Sequence, residues 1–465
     1  MATVEHERLE GEIAPRLPRG AQAHPRRHLP AWLPHAIVPA LAVLYIAFWA
    51  LTSLQNMNET DLDAFFLPSA RIALAGHPLF IYQTRFDSIY PNANGPLSFV
   101  PLTLVAAAAA RLGWLTDVHL RRMLVNAVFA IFPLLMGREA LLALDRLRGE
   151  RLAGVWRWLA LGCFVLTPEL WHSVLLYGHI EQPLMIWLVL LGLRLLAEER
   201  PASAGAVLGL ALLTRSVAGL YLLALVLALV LRGRWATALR TAVVAGLVAL
   251  AGLLPFVLAD RADTLYSLVT FRGGLPIGGG NVWLAAVGTT WEPLAQHDDG
   301  YIVIAAVVLV TALTCGLRRA LTVRSRDVYA LLGMAALCFP LFMKTLWPYY
   351  YLDASIFLTV WWLAAAPRAA SLGERWRWLG GSVVPLGVIG VAELSELVYS
   401  TLVKEIWTEA WSLAIFALTL AILLAVGLWV LLRDSERGAR LARGLRDGEQ
   451  TGVPASAAGS VLGDV

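Results

Sequence analysis

Runs of apolar side chains as long as a bilayer is thick constrain this chain more than any other feature. They occupy 34–53, 121–144, 152–172, 181–197, 237–259, 301–317, 327–343, 349–366, 378–399 and 410–432. A helix needs about 20 apolar residues to cross a hydrocarbon core of about 30 Å. Inside that core each backbone N–H and C=O must be satisfied within the chain, so a segment of this length is helical. The expected fold class is all-α and polytopic. Only 15% of the residues are charged, against about a quarter in a soluble domain. The formal net charge of +4 is too small to draw nucleic acid and reads as a loop bias toward an anionic lipid face. Cys163, Cys315 and Cys338 have no metal-ligand spacing and are expected as buried apolar thiols.

Two further stretches, 96–114 and 203–231, are ambiguous as spans, and loop charge decides them. Short loops rich in Lys and Arg stay cytoplasmic. The polar N-terminal segment 1–31, with Arg16, Arg19, Arg26 and Arg27, is expected inside and disordered, and no small-residue cleavage site follows the first apolar run. The runs RLRGER (146–151), LRGRW (231–235), RRALTVRSR (318–326), PRAASLGERWR (367–377) and RDSERGARLARGLR (433–446) also belong inside. All are satisfied if 96–114 lies on the outer side without crossing and 203–231 forms two half-spans turning near Thr214-Arg215-Ser216. The alternative moves Arg146, Arg148, Arg151 and Arg200 outside and gains only Arg121 and Arg122 inside. The expected organisation is therefore about twelve spans in a domain over 32–432. Both termini are cytoplasmic, the tail 433–465 is disordered, and the outer loops include 54–114 and 260–300.

The polar residues outside the spans concentrate on one face. NETDLDAFFLPSARIALAGHPLF (58–80) places Asp61 and Asp63 at the start of a short surface helix that stops near Gly76. One acid of the pair can be a helix cap, one can take a proton from a hydroxyl, and a DxD pair can hold a divalent cation. Their i, i+2 spacing turns them in different directions, so only one is expected to face a pocket. YPNANGPLSFVPL (90–102) is a turn carrying Asn92 and Asn94 into an apolar helix. WHSVLLYGHIEQPLMIW (171–187) gathers His172, His179, Glu181 and Gln182 at two helix ends. A solvated polar turn is the plain alternative in each case.

The first two of these stretches resemble the first outer loop of the GT-C membrane glycosyltransferases, most nearly the mannosyltransferases that use a polyprenyl-phosphate sugar. The match falls on Asp61, Leu62 and Phe65, then Gly76 and Tyr90-Pro91. Phe65 stands where that family often has Tyr, and Asn92–Gly95 is an insertion before Pro96. The resemblance implies a GT-C-like architecture with surface helices in the first outer loop. It further implies transfer of a sugar, mannose by the nearest branch, from a polyprenyl phosphate to a lipid- or glycan-linked acceptor on the outer face of the plasma membrane. Asp61 would be the general base and Asp63 its substitute. Glu181 would be the second acid of the family's next outer loop. No cofactor is implied, and a divalent cation is the less favoured alternative.

Other residues join the expected substrate-binding set on their own chemistry. Asn94, His179 and Glu181 rim the pocket. Arg215 lies in an apolar run, where a charge is costly unless it faces a partner, and a lipid phosphate fits it. Arg272, in the glycine-rich FRGGLPIGGGNVW (271–283), is placed to touch phosphate from a mobile lid. Lys344 departs from the positive-inside trend and so points to an anion, with Tyr349 and Tyr350 beside it as donors to sugar or phosphate. The rival class is a multi-span transporter or flippase, which requires polar or helix-breaking residues near mid-membrane.

Overall fold

The computed structural model describes residues 32–52, 60–83, 91–152, 154–271, 275, 277, 283, 286–297, 299–317, 321–366, 378–402, 411 and 413–430. The expected disordered ends, 1–31 and 433–465, lie outside the described residues, as do Tyr90, Arg272 and Lys404. Two compact units divide at Leu44 and Tyr45. Of the first, the described part is helical and belongs to the helix Trp32–Thr52. Everything below concerns the second.

Among the described residues every regular element is helical and there is no strand. Five helices are long and apolar enough to cross a membrane: Val118–Arg148, Trp235–Ala259, Asp299–Gly316, Trp378–Leu397 and Leu413–Val430. Val155–Val165 and Pro168–Leu176, bent by 45° at their junction, make a sixth if taken as one span. The bend falls at Pro168, whose ring cannot continue the preceding helix. Three expected spans are shorter helices: Glu181–Ala197 with 17 residues, Asp327–Phe342 with 16 and Leu352–Ala364 with 13. These are apolar on all sides and almost wholly buried, the pattern of a helix enclosed by others.

The enclosing helices present the opposite picture. Trp235–Ala259 exposes Leu239, Val243, Leu247, Leu250, Leu254 and Leu258, and Leu413–Val430 exposes Leu418, Leu424 and Leu428. A continuous apolar belt of this kind is unstable in water and matches lipid. Cys163 corrects the expectation of three buried thiols: Cys315 and Cys338 are buried, Cys163 is exposed.

The stretch 203–231 is broken, as the loop charges require: helices Pro201–Leu212 and Ala218–Leu231 meet at a turn over 213–217. Pro201–Leu212 packs tightly on Trp235–Ala259 through Gly205 and Gly209. A Cβ on Gly205 would sit 2.5 Å from the Thr241 carbonyl oxygen, and one on Gly209 2.7 Å from that of Ala245. Small residues four apart let two backbones approach where lipid supplies no hydrophobic drive.

The stretch 96–114 holds a helix, Phe99–Arg111, packed on Leu67–Leu74. It starts beside the 213–217 turn, where Gly95 N–H donates to the Thr214 carbonyl at 3.1 Å and Leu97 N–H to that of Leu213 at 2.9 Å. It ends before Val118, whose helix is capped by Asp117 through the His119 and Leu120 N–H groups. Asp63 pairs with Arg121 and Arg122 in the first turns of that helix, so both ends of 96–114 lie at one end of the bundle.

At the other end arginines cover helix C-termini. Arg324 donates to the Ala197 carbonyl at 2.9 Å, Arg232 to that of Cys315 at 2.7 Å and Arg148 to that of Ala366 at 2.9 Å. The last carbonyls of a helix lack intrahelical donors and carry the negative end of its dipole, so guanidinium groups there are favourable twice over.

Gly205→Ala is expected to lower stability by about 1–3 kcal/mol, the usual cost of overpacking. Gly246→Ala, which meets nothing within 4 Å, is expected to be neutral or slightly stabilising. Thermal unfolding of the two variants in detergent checks the pair; equal midpoints would refute the close crossing.

Candidate functional site

The site is assembled where short turns from distant parts of the chain meet: 60–66, 91–98, 172–182, 213–217 and 345–353. Backbone hydrogen bonds lock them together. Asp61 N–H donates to the Tyr177 carbonyl at 2.9 Å. Gly178 has φ +76° and lies so close that a Cβ would sit 2.7 Å from the Leu62 nitrogen, so both conformation and space demand glycine. At Gly95 a Cβ would fall 2.1 Å from the Leu213 oxygen.

Residues 62–66 form a wide π turn ahead of the helix Leu67–Leu74. Pro68 cannot donate to the Ala64 carbonyl, which removes one ordinary helical bond from this turn. Wide turns of this kind recur at functional positions. The turn separates the two acids. Asp63 is engaged on both oxygens: Arg121 at 2.6 Å and Thr60 at 3.1 Å, with Arg122 bonded as well. Burial alone would push its carboxyl up, but the two guanidiniums hold it below the ordinary carboxylate range. A carboxylate so occupied is a poor proton acceptor, so of the two acids expected as catalytic Asp63 is the less suited. It is a structural anchor.

Asp61 makes no side-chain cap bond and is 34% exposed. Its Oδ2 lies 2.9 Å from His179 Nε2, within ion-pair reach but off the ring N–H direction. Its Oδ1 has no partner among the described residues. The other ring nitrogen of His179, Nδ1, is 2.8 Å from Glu181 Oε1. That same oxygen is 3.6 Å from Arg215 Nη1. Burial works against charge on His179, and Glu181 and Asp61 more than offset it, so its pKa is raised. Phe66 meets the imidazole edge-on at 5.9 Å, and the Tyr349 ring lies 4.1 Å from it.

Arg215 is 2% exposed. Its guanidinium carbon stands 5.6 Å and 5.7 Å from the ring centroids of Tyr349 and Tyr350, cation–π contacts that compensate part of its lost hydration. Its Nε and Nη1 nonetheless have no hydrogen-bond partner among the described residues. A buried guanidinium normally satisfies its five donors, and one left open costs several kcal/mol.

Beneath this runs a buried network that the sequence reading did not assemble. Ser173 donates to Gln182 Oε1 at 2.6 Å; Gln182 Nε2 donates to Asp353 Oδ1 at 2.8 Å and to the Tyr349 carbonyl at 3.0 Å; Tyr221 donates to Asp353 Oδ2. It fixes the 348–351 turn and hence the two tyrosines against Arg215. Asn94 is buried, with its N–H on Asn92 Oδ1 at 3.0 Å and its carbonyl held by Tyr82 at 3.0 Å. It shapes the 91–98 turn, and its Oδ1 has no partner among the described residues.

Lys344 departs from its expected role. Its ammonium donates to the Gln296 carbonyl at 2.6 Å, and its N–H donates to Asp299 Oδ2 at 3.0 Å. Burial lowers its pKa. Its engagement is with the 292–299 segment, which the arrangement ties down. Arg272 lies outside the described residues, so the lid assigned to it is not addressed. Of the expected set, Asp61, His179, Glu181, Arg215, Tyr349 and Tyr350 come together in one place. No group of three or more His, Cys, Asp and Glu side chains among the described residues is arranged to hold a metal ion.

Arg121 and Arg122 were missed as functional support, yet they carried a signal: they are the two arginines that the favoured layout leaves on the face with few basic residues. A charge against that trend needs a partner, and Asp63 is it. No protein-family model matches the chain, and no curated protein matches it.

Asp63→Asn leaves two buried guanidiniums uncompensated and is expected to cost about 3–5 kcal/mol. The wild-type carboxyl has a folded-state pKa below its unfolded value of about 3.9. Its contribution is therefore present above that value and lost as pH falls through the lowered folded pKa. Unfolding midpoints measured from pH 7 to pH 3 should fall in the wild type at the acid end and start low, with a flatter slope, in Asp63→Asn.

Proposed function

We infer that this chain is an integral membrane glycosyltransferase working on the outer face, taking a sugar from a polyprenyl phosphate. The observation that carries the reading is the pairing of two incomplete groups in one pocket. Among the described residues, Asp61 has a carboxylate oxygen left for a hydroxyl and Arg215 has buried donors left for an anion. An anionic leaving group and a neutral hydroxyl nucleophile are the two reactants such a pocket suits.

Asp61 Oδ1 accepts the proton of an acceptor hydroxyl as its oxygen attacks the anomeric carbon. The bond from that carbon to the phosphate oxygen breaks, and the polyprenyl phosphate leaves carrying the electron pair. Attack opposite the leaving group inverts the anomeric centre. Charge grows on the phosphate as the bond breaks, and Arg215, in a dry site, stabilises that growth more than it would in water. Tyr349 and Tyr350, held by their own turn, bound the sugar between base and guanidinium.

The bilayer layout follows from the arginines. The end where Arg148, Arg232 and Arg324 cap helices is the cytoplasmic one by the positive-inside trend, which places the Asp61 end outside. The proposed layout takes the full-length helices, the buried shorter ones and the two half-spans as about twelve passages, with a GT-C-like first outer loop. In this reading a lipid phosphate reaches Arg215 while its tail stays in lipid. Mannose is the sugar expected from the Asp61–Phe65 and Tyr90-Pro91 resemblance.

The test is transfer by the purified chain in nanodiscs from polyprenyl-phosphate mannose to endogenous lipid-linked acceptors. Asp61→Asn should reduce the rate about 10²–10⁴-fold, the usual worth of a general base, with donor binding retained. Arg215→Gln should weaken donor binding. Undiminished transfer in Asp61→Asn would refute the assignment of the base. Movement of lipid-linked sugar across the membrane without transfer would replace the enzyme with a flippase.

A further inference from the structure

His179 has a carboxylate at each ring nitrogen: Asp61 Oδ2 at 2.9 Å from Nε2 and Glu181 Oε1 at 2.8 Å from Nδ1. A neutral imidazole has one N–H and one lone pair, so it would leave an unprotonated ring nitrogen close beside one of these carboxylates. The doubly protonated ring avoids this. Glu181 is fully buried, and its Oε1 is shared between His179 and Arg215, the latter at 3.6 Å. The order along the pocket is therefore carboxylate, imidazolium, carboxylate, guanidinium. It starts at the open oxygen of Asp61 and ends at the open donors of Arg215.

We propose that His179 and Glu181 are positioning residues that couple the anion site at Arg215 to the base Asp61, so that donor phosphate and the proton on His179 bind cooperatively. The coupling rests on the anion site assigned to Arg215 above. Its direction follows from electrostatics. Without an anion, Arg215 draws on the charge of Glu181 and weakens its hold on the His179 proton. A phosphate at Arg215 neutralises the guanidinium and returns Glu181 to His179. The imidazolium is then held more firmly and keeps Asp61 ionised and oriented toward the acceptor. The donor thus prepares the base before the acceptor reacts. After transfer the proton on Asp61 sits beside a fixed positive charge, which favours its release to water.

The groups facing His179 from each packed element are few. Asp61 comes from the 60–66 turn, Glu181 from the start of its helix and Tyr349 from the 348–351 turn; Phe66 is uncharged. Both carboxylates raise the pKa of the ring, in the sense a held imidazolium requires.

Coupling between sites is reciprocal, so protonation of His179 must tighten anion binding by the factor that anion binding tightens the proton. The probe is a dialkyl phosphate, a phosphodiester whose single charge is constant from pH 5 to pH 9. Its affinity for the full chain in nanodiscs is measured calorimetrically across that range. The wild type is expected to bind about tenfold more weakly once His179 has lost its proton, a typical coupling. His179→Gln and Glu181→Gln should each bind without that pH dependence. A second readout, the NMR titration of His179, should move to higher pH when the phosphodiester is added, and should not move in Arg215→Gln.

A flat wild-type profile, or a slope retained in His179→Gln, would overturn the coupling. Sugar transfer with a flat profile would leave the enzyme reading standing and the coupling refuted. A pH-dependent phosphodiester site without transfer from any lipid-linked sugar would do the reverse. Absence of phosphodiester binding at every pH would overturn both, because both need an anion at Arg215.

Discussion

A guanidinium buried among apolar helices sets the terms for everything around it. Arg215 sits in the turn that breaks 203–231 into two helices and is buried, where an unpaired charge costs several kcal/mol. Two tyrosine faces and one shared carboxylate oxygen meet part of that cost, and Nε and Nη1 remain open. The surrounding structure keeps it there. Gly95 and Leu97 clamp the turn from one side, and the Ser173–Gln182–Asp353–Tyr221 network fixes the tyrosines from the other. Arg121 and Arg122 are each hydrogen-bonded to the Asp63 carboxylate, whereas Arg215 makes no side-chain hydrogen bond to an acid among the described residues and meets Glu181 only at 3.6 Å. All three arginines are buried, and the contrast in their partners is the basis for proposing an anion at Arg215.

The same contrast separates the two aspartates. Asp61 and Asp63 are chemically identical and two residues apart, and the sequence distinguishes them only by their opposite directions on a helix. That direction was legible: one acid faces the pocket and the other does not. Which one was not legible from residues alone, because the answer depends on Arg121 and Arg122, nearly sixty residues away. A charge-bias argument identified Lys344 as anomalous and matched it to a lipid phosphate, whereas the fold gives its ammonium a partner within the protein, the Gln296 carbonyl. Applied to Arg121 and Arg122, it would have found the right one. Positive charge on the sparsely charged end signals that a partner exists; it does not say whether the partner is a lipid or the protein itself.

Much of the helical layout was legible because bilayer length and backbone satisfaction leave so few alternatives. The break in 203–231 came from loop arginines, and the expectation that 96–114 does not cross came from them too, since moving either would shift several charges together. Helix lengths were less legible. Asp327–Phe342 and Leu352–Ala364 read as full spans in sequence because apolarity persists through the adjoining turns, including Pro348–Tyr351. Apolar composition cannot distinguish a residue facing lipid from one in a buried turn. The tyrosines of that turn are apolar by body and polar at the tip, which is why the site can be built there without an apparent gap in the hydrophobic run.

Rigidity at this end of the bundle bears on the choice between enzyme and transporter. Alternating access requires two packings of the elements around the binding site, exchanged at low cost. Here the elements that carry Asp61, His179, Arg215 and Tyr349 are joined by backbone bonds between chain segments far apart in sequence, Asp61 to Tyr177 and Gly95 to Thr214. At Gly95 and Gly178 the backbones are too close for any side chain. Opening the site would break these bonds together and expose their donors and acceptors in a poorly hydrated region, at about 1–3 kcal/mol for each group left unsatisfied. Transfer chemistry asks for the opposite property: a base and an anion site held at fixed separation while the substrates move. The clamps between these turns supply that fixity.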